Sequence, residues 1–168
     1  MRILSYLKPD AVVDSLWDVS LDQMKSRGIK GLLVDLDNTL VEYRKYVSTP
    51  RVREWLKSVE RAGLGICIVS NSRRRKKVAE FSQQVGVPAI SRAGKPRRGS
   101  FRKALSMLGL APEETAIIGD QLLTDILGGN RLGCYTVLVM PITRQEFLGT
   151  RIVRILERRI LKLLVGPE

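Results

Sequence analysis

The chain has 168 residues, a length that fits one domain of ordinary size. It has 29 Lys plus Arg against 17 Asp plus Glu, a formal charge of +12, and 44% hydrophobic residues, which is a globular composition with a basic surface. His is absent, which excludes a Ser-His-Asp triad, a Cys-His dyad, a phosphohistidine and a His-ligated metal, and the 2 Cys are too few for a zinc site or a disulfide framework.

Short apolar runs alternate along the chain with amphipathic segments. Continuous runs of this length are typical of strands that are buried on both faces of a parallel sheet. The predicted strands cover residues 31–35, 64–70, 87–90, 115–120 and 135–140. Before them, we expect residues 9–27 to be helical and to pack outside the sheet.

Helical patterns fill the gaps between these strands. Thr49 and Pro50 are the expected N-cap and first residue of one helix, which ends at Gly63. Further helices are predicted over residues 72–85, 97–108 and 121–132, and each is followed by glycine. The alternation predicts an α/β fold with a doubly wound, mainly parallel sheet flanked by helices, in which ligands bind at the carboxyl ends of the strands.

We expect residues 1–168 to form a single domain. Its core is predicted at about residues 28–142, between an N-terminal helical segment at 1–27 and a C-terminal basic amphipathic helix at 150–164. No apolar run reaches the roughly 20 residues that cross a bilayer, and the N-terminus lacks the pattern of a secretory signal. These features predict a cytoplasmic location.

Two acidic residues follow the strand at 31–35. Asp35 and Asp37 are separated by one residue, so an extended backbone places their side chains on the same side. Two carboxylates that face one pocket repel each other, and they favour a bound cation, a proton or a division of roles. One of them can act as a nucleophile toward a phosphoryl group and the other as a general acid and base. The alternative interpretation is a solvated acidic turn.

Polar residues also follow the next three predicted strands. Ser70 and Asn71 offer a hydroxyl and an amide for phosphate oxygens, although Ser-Asn is also an ordinary helix cap. Lys95 can neutralise a nucleophile and a transferring phosphoryl group. Asp120 is placed to bind Mg²⁺, and Asp125 to orient ligands from the next helical turn. These groups, each after its own strand, predict one phosphate-handling site.

Taken in order, these positions match the pattern of a known family. The strings Asp-Leu-Asp-Asn-Thr-Leu at 35–40 and Gly-Asp-Gln-Leu-Leu-Thr-Asp at 119–125, with Ser70 and Lys95 between them, resemble the haloacid dehalogenase-like (HAD-like) phosphohydrolase superfamily. With Gly-Gly-Asn-Arg at 128–131, they look like the YqeG-type subfamily, which is similar to the mitochondrial phosphatidylglycerophosphate phosphatases.

The resemblance implies a role for each matching residue. Asp35 is expected to be the nucleophile, and Asp37 to protonate the leaving oxygen and then to activate water. Ser70 and Lys95 are expected to hold the phosphoryl group. The implied cofactor is Mg²⁺, with Asp35, Asp120 and the main-chain carbonyl of Asp37 as ligands and Asp125 in support or on the metal. The residues expected to bind substrate are Thr39, Asn71, Arg73 and Arg74.

Two other phosphate-handling patterns compete with this interpretation. Cys67 and Arg73 satisfy Cys-x₅-Arg, the signature of cysteine-based phosphatases. That chemistry needs a phosphate-binding loop directly after the cysteine, whereas Ile68 and Val69 continue a strand. A receiver-type phosphoacceptor domain carries an acidic acceptor after its third strand, where this chain has no acid over residues 91–95. We therefore expect Cys67 to be a small core residue.

The excess of basic residues predicts an anionic partner. The five cations at 73–77 begin a helix, where positive charge opposes the helix dipole, and they border the expected site. Together with the helix at 150–164, they are interpreted as a surface for an anionic substrate or an anionic membrane. The alternatives are a solvated basic face and, for residues 150–164, packing on the domain or in a homo-oligomer.

The spacing of the motifs leaves no room for a cap domain over the site. Only a loop, one helix and a strand fit between Thr39 and Ser70, and one helix and a short strand between Ser70 and Lys95. An open site suits a bulky phosphorylated substrate such as a phospholipid headgroup. With the resemblance, this predicts a Mg²⁺-dependent phosphatase that acts on phosphatidylglycerophosphate at the inner membrane face.

Two alternatives stay open for the function. One is a nucleotide or polynucleotide-end phosphatase, since the positive charge alone does not separate lipid from nucleic acid. The other is an RNA- or ribosome-binding module that keeps the fold. Aromatic residues for base stacking make up only 5% of the chain, which does not favour nucleic acid but does not exclude it.

Overall fold

The computed structural model describes residues 5–143, so the helix expected at 150–164 lies outside the described residues. A six-stranded sheet in the order β1-β6-β5-β2-β3-β4 forms the centre, and every neighbouring pair is parallel. The strands are β1 (Ala11–Val13), β2 (Gly31–Val34), β3 (Gly65–Val69), β4 (Ala89–Ile90), β5 (Thr115–Gly119) and β6 (Tyr135–Val139). From β2 the chain winds to one side through β3 and β4, and then to the other through β5 and β6. The predicted doubly wound α/β architecture is confirmed.

Helices cover both faces of the sheet. They are α1 (Leu21–Ser26), α2 (Pro50–Arg61), α3 (Arg75–Val85), α4 (Arg98–Leu108) and α5 (Leu127–Asn130). The side chains of β2 alternate between two cores: Leu32 and Val34 belong to the core beneath α1, α2 and α3, whereas Leu33 packs with Phe101 of α4 in the other. This burial on both faces is the reason that the strands occur as continuous apolar runs.

Local hydrogen bonds decide where the helices begin and end. Thr49 Oγ1 accepts the N–H of Val52 at 3.3 Å, as predicted for the N-cap of α2. Gly86 ends α3 in the left-handed conformation, with φ of 69°. However, α3 begins at Arg75 and not at residue 72, because Ser72 Oγ accepts the N–H of Arg74 at 3.2 Å and keeps the preceding residues in a turn.

Residues 9–27 are only partly helical, which corrects the expectation that they are helical and pack outside the sheet. Strand β1 pairs in parallel with β6, and only Leu21–Ser26 form an α-helix after it. The carboxylate of Asp10 accepts the N–H of Thr136 at 2.7 Å and its hydroxyl at 3.0 Å. These bonds anchor the segment to β6, more than 100 residues away in the chain.

The connections between the first strands of the site are short. A loop and α2 join β2 to β3, and α3 joins β3 to β4, so no further domain is inserted between these described strands. Within residues 5–143, no helix combines the length and hydrophobicity needed to cross a bilayer.

Candidate active site

The topology brings the predicted acidic residues together at the carboxyl edge of the sheet. Strands β2 and β5 are neighbours, but the chain leaves them toward opposite sides, which creates a crevice between their ends. Asp35 directly follows β2 and Asp120 directly follows β5. Asp35, Asp120 and Asp125 are all buried, and one carboxylate oxygen from each lies within 4.8 Å of the others.

A wide turn after β5 carries Asp125 to this cluster. Leu122–Ile126 form a π-helical turn, where the sequence predicted a regular helix over 121–132. Asp125 Oδ2 accepts the N–H of Gln121 at 3.3 Å, so the side chain folds back toward the strand end. Gly119 permits this approach, since a Cβ at that position would lie 2.3 Å from the carboxyl carbon of Asp125.

A buried lysine neutralises part of the acidic cluster. Lys95 Nζ lies 2.5 Å from Asp35 Oδ1 and 2.6 Å from Asp125 Oδ1. Burial lowers the pKa of Lys95, but the two carboxylates outweigh it and hold the pKa above its ordinary value, so the ammonium stays charged. Asn71 fixes the lysine backbone: its Oδ1 accepts the Lys95 N–H at 2.8 Å, and its Nδ2 donates to the Lys95 carbonyl at 3.3 Å.

The cluster carries more carboxylates than ammonium groups. Burial is the largest cause that raises the pKa of Asp35, the charge of Lys95 lowers it, and Asp125 and Asp120 raise it again. The pKa of Asp35 therefore lies well above its usual range. Three carboxylates against one ammonium form a set of hard oxygen donors that fits a divalent cation such as Mg²⁺.

Asp37 lies beside this cluster and is only half-buried. Its Oδ1 accepts the N–H of Arg44 at 2.8 Å, from a residue in the left-handed region with φ of 59°. Burial is the main cause that raises the pKa of Asp37, while hydrogen bonds from the Arg44 backbone and the Tyr46 side chain oppose the rise. A carboxyl group that is fixed in this way and reaches the pocket can exchange a proton with a substrate oxygen.

Asp35, Asp37 and Lys95 line a pocket at the surface, whereas Asp120 and Asp125 are not among its lining residues. The predicted residues that line it are Asp35, Asp37, Ser70, Asn71, Arg73, Arg74 and Lys95. Sequence reasoning missed the other lining residues, Tyr43, Arg44, Tyr46, Ser72, Gln121 and Thr124. The string Tyr-Arg-Lys-Tyr at 43–46 mixes aromatic and basic residues shortly after the first motif, and this signal could have indicated a pocket wall.

Thr39 occupies a different place from the other residues predicted to bind substrate. It is buried, and its Oγ1 lies 3.4 Å from Asp120 Oδ1. It is not among the residues that line the pocket. The contact places Thr39 against Asp120, and a role of Thr39 in substrate binding stays a prediction.

Cys67 lies within β3, and we expect Cys67→Ser to keep phosphatase activity. The thiol is fully buried, and burial raises its pKa to about 11, so it is protonated at neutral pH and closed to substrate. The buried hydroxyl of the variant should lower stability by roughly 1–3 kcal/mol. Phosphate release and thermal unfolding measure the two effects. Total loss of activity in a folded variant would instead identify the thiol as the nucleophile.

Comparisons with known proteins give one consistent group of relatives. A family model described as HAD-hydrolase-like matches residues 92–141. The probable phosphatase YqeG of Bacillus subtilis is 42% identical over 159 residues, which cover 95% of this chain and 92% of that protein. The chloroplastic/mitochondrial phosphatidylglycerophosphate phosphatase 1 of Arabidopsis thaliana is 30% identical over 169 residues, 94% of this chain but only 48% of that protein.

Solved structures show the same fold. The cobalt-bound deoxy-D-mannose-octulosonate 8-phosphate phosphatase of Haemophilus influenzae matches with a TM-score of 0.55 over 84% of this chain and 92% of that one, at 14% identity. The 3-deoxy-D-manno-octulosonate 8-phosphate phosphatase of Yersinia pestis matches with a TM-score of 0.54 over 87% and 88% of the two chains, at 16% identity. At these identities, the likeness concerns the fold.

Proposed function

Because the chain belongs to the YqeG family of HAD-like phosphatases, we propose that it hydrolyses phosphomonoesters through an aspartyl-phosphate on Asp35. The observation that carries this proposal is the buried contact between Asp35 and Lys95 at the point where the sheet changes winding direction. An oxygen nucleophile beside a fixed ammonium suits attack on a phosphoryl group, since the ammonium offsets the negative charge of both reactants.

The proposed reaction has two steps. First, an oxygen of Asp35 bonds to phosphorus while the bond from phosphorus to the leaving alcohol oxygen breaks, and Asp37 gives that oxygen its proton. Second, Asp37 takes a proton from water, the water oxygen bonds to phosphorus, and the bond between Asp35 and phosphorus breaks to release phosphate. Ser70 and Lys95 line the same pocket, where they can donate hydrogen bonds to the phosphoryl oxygens.

A divalent cation completes this proposal. We assign Mg²⁺ to Asp35, Asp120 and the main-chain carbonyl of Asp37, with Asp125 in support. The three buried carboxylates support the assignment, because their mutual repulsion is relieved by a cation and their oxygens are the ligands that Mg²⁺ prefers. When bound, the ion supplies positive charge to the transferring phosphoryl group.

Removal of the metal should abolish activity. We expect excess chelator to stop phosphate release and added Mg²⁺ to restore it, because the reacting groups carry uncompensated negative charge without the ion. Asp120→Ala should raise the Mg²⁺ concentration required for half-maximal rate. Mg²⁺ should also raise the thermal unfolding midpoint of the wild type more than that of Asp120→Ala, since binding stabilises the folded state. Full activity in excess chelator would contradict the metal assignment.

The proposed substrate is phosphatidylglycerophosphate at the surface of an anionic membrane. The Arabidopsis relative carries that substrate in its name. Arg73 and Arg74, the first two of the cations at 73–77, line the pocket, and each basic residue near an acidic lipid surface contributes roughly 1 kcal/mol to binding. Asp35 lines a pocket at the surface, and the described chain inserts no domain between β2 and β4, which supports a headgroup as substrate.

With Mg²⁺, the purified protein should release phosphate from phosphatidylglycerophosphate in anionic vesicles faster than from nucleotides, RNA ends or sugar phosphates. Added salt should weaken binding to the vesicles, because it screens the basic surface. Preference for nucleotides or RNA ends would contradict the lipid substrate and leave the Asp35 mechanism intact. Failure on every phosphate ester, together with tight RNA binding, would favour an RNA-binding module.

A further inference from the structure

Three arginines at the mouth of the pocket form no ion pair with any acidic residue that the structure describes. Arg44, Arg73 and Arg74 are exposed and line the same pocket as Asp35 and Asp37. In residues 5–143, the cations that form ion pairs are Lys30, Lys45, Arg61, Lys77 and Lys95. Arg44 also lies over the Tyr43 ring, with its Cζ 5.0 Å from the ring centre, and its charge interacts with that of Asp37, but none of the three arginines forms an ion pair with a described carboxylate.

The backbones of two of these arginines are held at fixed places in the site. The Arg44 N–H donates to Asp37 Oδ1 at 2.8 Å, and the Arg74 N–H donates to Ser72 Oγ at 3.2 Å. The hydroxyls of Tyr46 and Ser72 lie 2.8 Å apart and join the two loops. Burial raises the pKa of Tyr46, and the charges of Arg74 and Arg44 both oppose this rise, so both guanidinium groups lie within Coulombic reach of one hydroxyl.

Helix stability does not account for the arginine at the start of α3. Arg74 is the N-cap of this helix, but its side chain caps no N–H group. The first turn contains no acidic residue, and cations at this end oppose the helix dipole. These positive charges are unfavourable for α3 unless an anion binds there.

We infer that Arg44 and Arg74 form a subsite for a second phosphate, which the substrate carries a short linker away from the phosphomonoester that is hydrolysed. The inference rests on the proposed function, which assigns the phosphomonoester to Asp35, Ser70 and Lys95. Guanidinium groups suit this second anion because they bind phosphate oxygens with two parallel hydrogen bonds. The class of ligand is a diphosphorylated molecule, either a glycerophosphate headgroup or a nucleoside bisphosphate.

The test compares soluble substrates that share a phosphomonoester and differ in the second phosphate. Deacylated phosphatidylglycerophosphate is paired with glycerol 3-phosphate, and adenosine 3′,5′-bisphosphate with the two adenosine monophosphates. For the wild type, we expect kcat/KM to be about tenfold higher for the substrate with the second phosphate than for its partner without it, because a charge-assisted hydrogen bond contributes a free energy of that size. Arg44→Gln and Arg74→Gln should each bring this ratio of the two kcat/KM values close to one. The substrate pair with the larger ratio shows whether the second phosphate that the subsite binds belongs to a glycerophosphate headgroup or to a nucleotide.

Lys45→Gln and Arg102→Gln are the matched controls. Both residues are exposed cations that do not line the pocket, and Lys45 Nζ lies 2.5 Å from Glu42. The controls should keep the wild-type ratio. The subsite would be overturned, while the phosphatase proposal stands, if the wild type showed a ratio of one for both substrate pairs. It would also be overturned if the control variants lowered the ratio as much as Arg44→Gln and Arg74→Gln do. Absence of hydrolysis of any of these esters by the wild type would overturn both.

Discussion

Asp35→Asn should lower the rate of phosphate release by at least about four orders of magnitude, because the variant lacks the oxygen nucleophile that forms the aspartyl-phosphate. The wild type quenched in acid during turnover should retain radiolabelled phosphate from the substrate, and the variant should retain none. Phosphate release and the label on the quenched protein are the two measurements. The asparagine has nearly the same shape, so the pocket should keep its geometry.

The stability of this variant separates loss of chemistry from loss of fold. Asp35 is one of three buried carboxylates within 4.8 Å of one another, and its replacement removes part of their repulsion. We therefore expect Asp35→Asn to unfold, in metal-free buffer, at a temperature no lower than the wild type. Asp22→Asn, at an exposed carboxylate in the first turn of α1, is the matched control and should keep full activity. Wild-type rates in the Asp35→Asn protein would refute the mechanism.

Asp37→Asn should slow turnover by about 10²–10⁴-fold, the usual contribution of general acid and base catalysis. The two steps should respond differently to the leaving group. A nitrophenyl phosphate needs little protonation of its leaving oxygen, so the variant should still form the phosphoenzyme from it while hydrolysis of that intermediate is slow. The expected signature is an initial burst of nitrophenol followed by a slow steady rate.

An alkyl phosphate such as glycerol 3-phosphate provides the contrast. Its leaving alcohol requires a proton, so Asp37→Asn should form the phosphoenzyme slowly and show no burst. An equal loss of rate for both esters, with no accumulation of phosphoenzyme, would show that Asp37 has a different role. In that case its contact with the Arg44 N–H would serve only to shape the pocket.

Much of the fold could be predicted because its determinants are local in the chain. The predicted strands at 31–35, 64–70 and 115–120 agree with the structure to within one residue at each end. Burial on both sheet faces requires apolar runs, and such runs are visible without knowledge of their neighbours. The candidate site residues could also be predicted from local patterns, because in a parallel sheet the residues that directly follow the strands all lie at the same edge.

The residues alone therefore predict the α/β class, the carboxyl edge as the place of the candidate site, and the acids and lysine at that edge. In contrast, the folded chain was needed to show that β1 joins the sheet, that Thr39 contacts Asp120 and that Arg44 and Tyr46 line the pocket. These features depend on contacts between segments that are distant in the chain, such as the hydrogen bonds that Thr136 donates to Asp10 across 126 positions. Propensity and periodicity act over a few residues, whereas such contacts exist only once the sheet has brought the segments together.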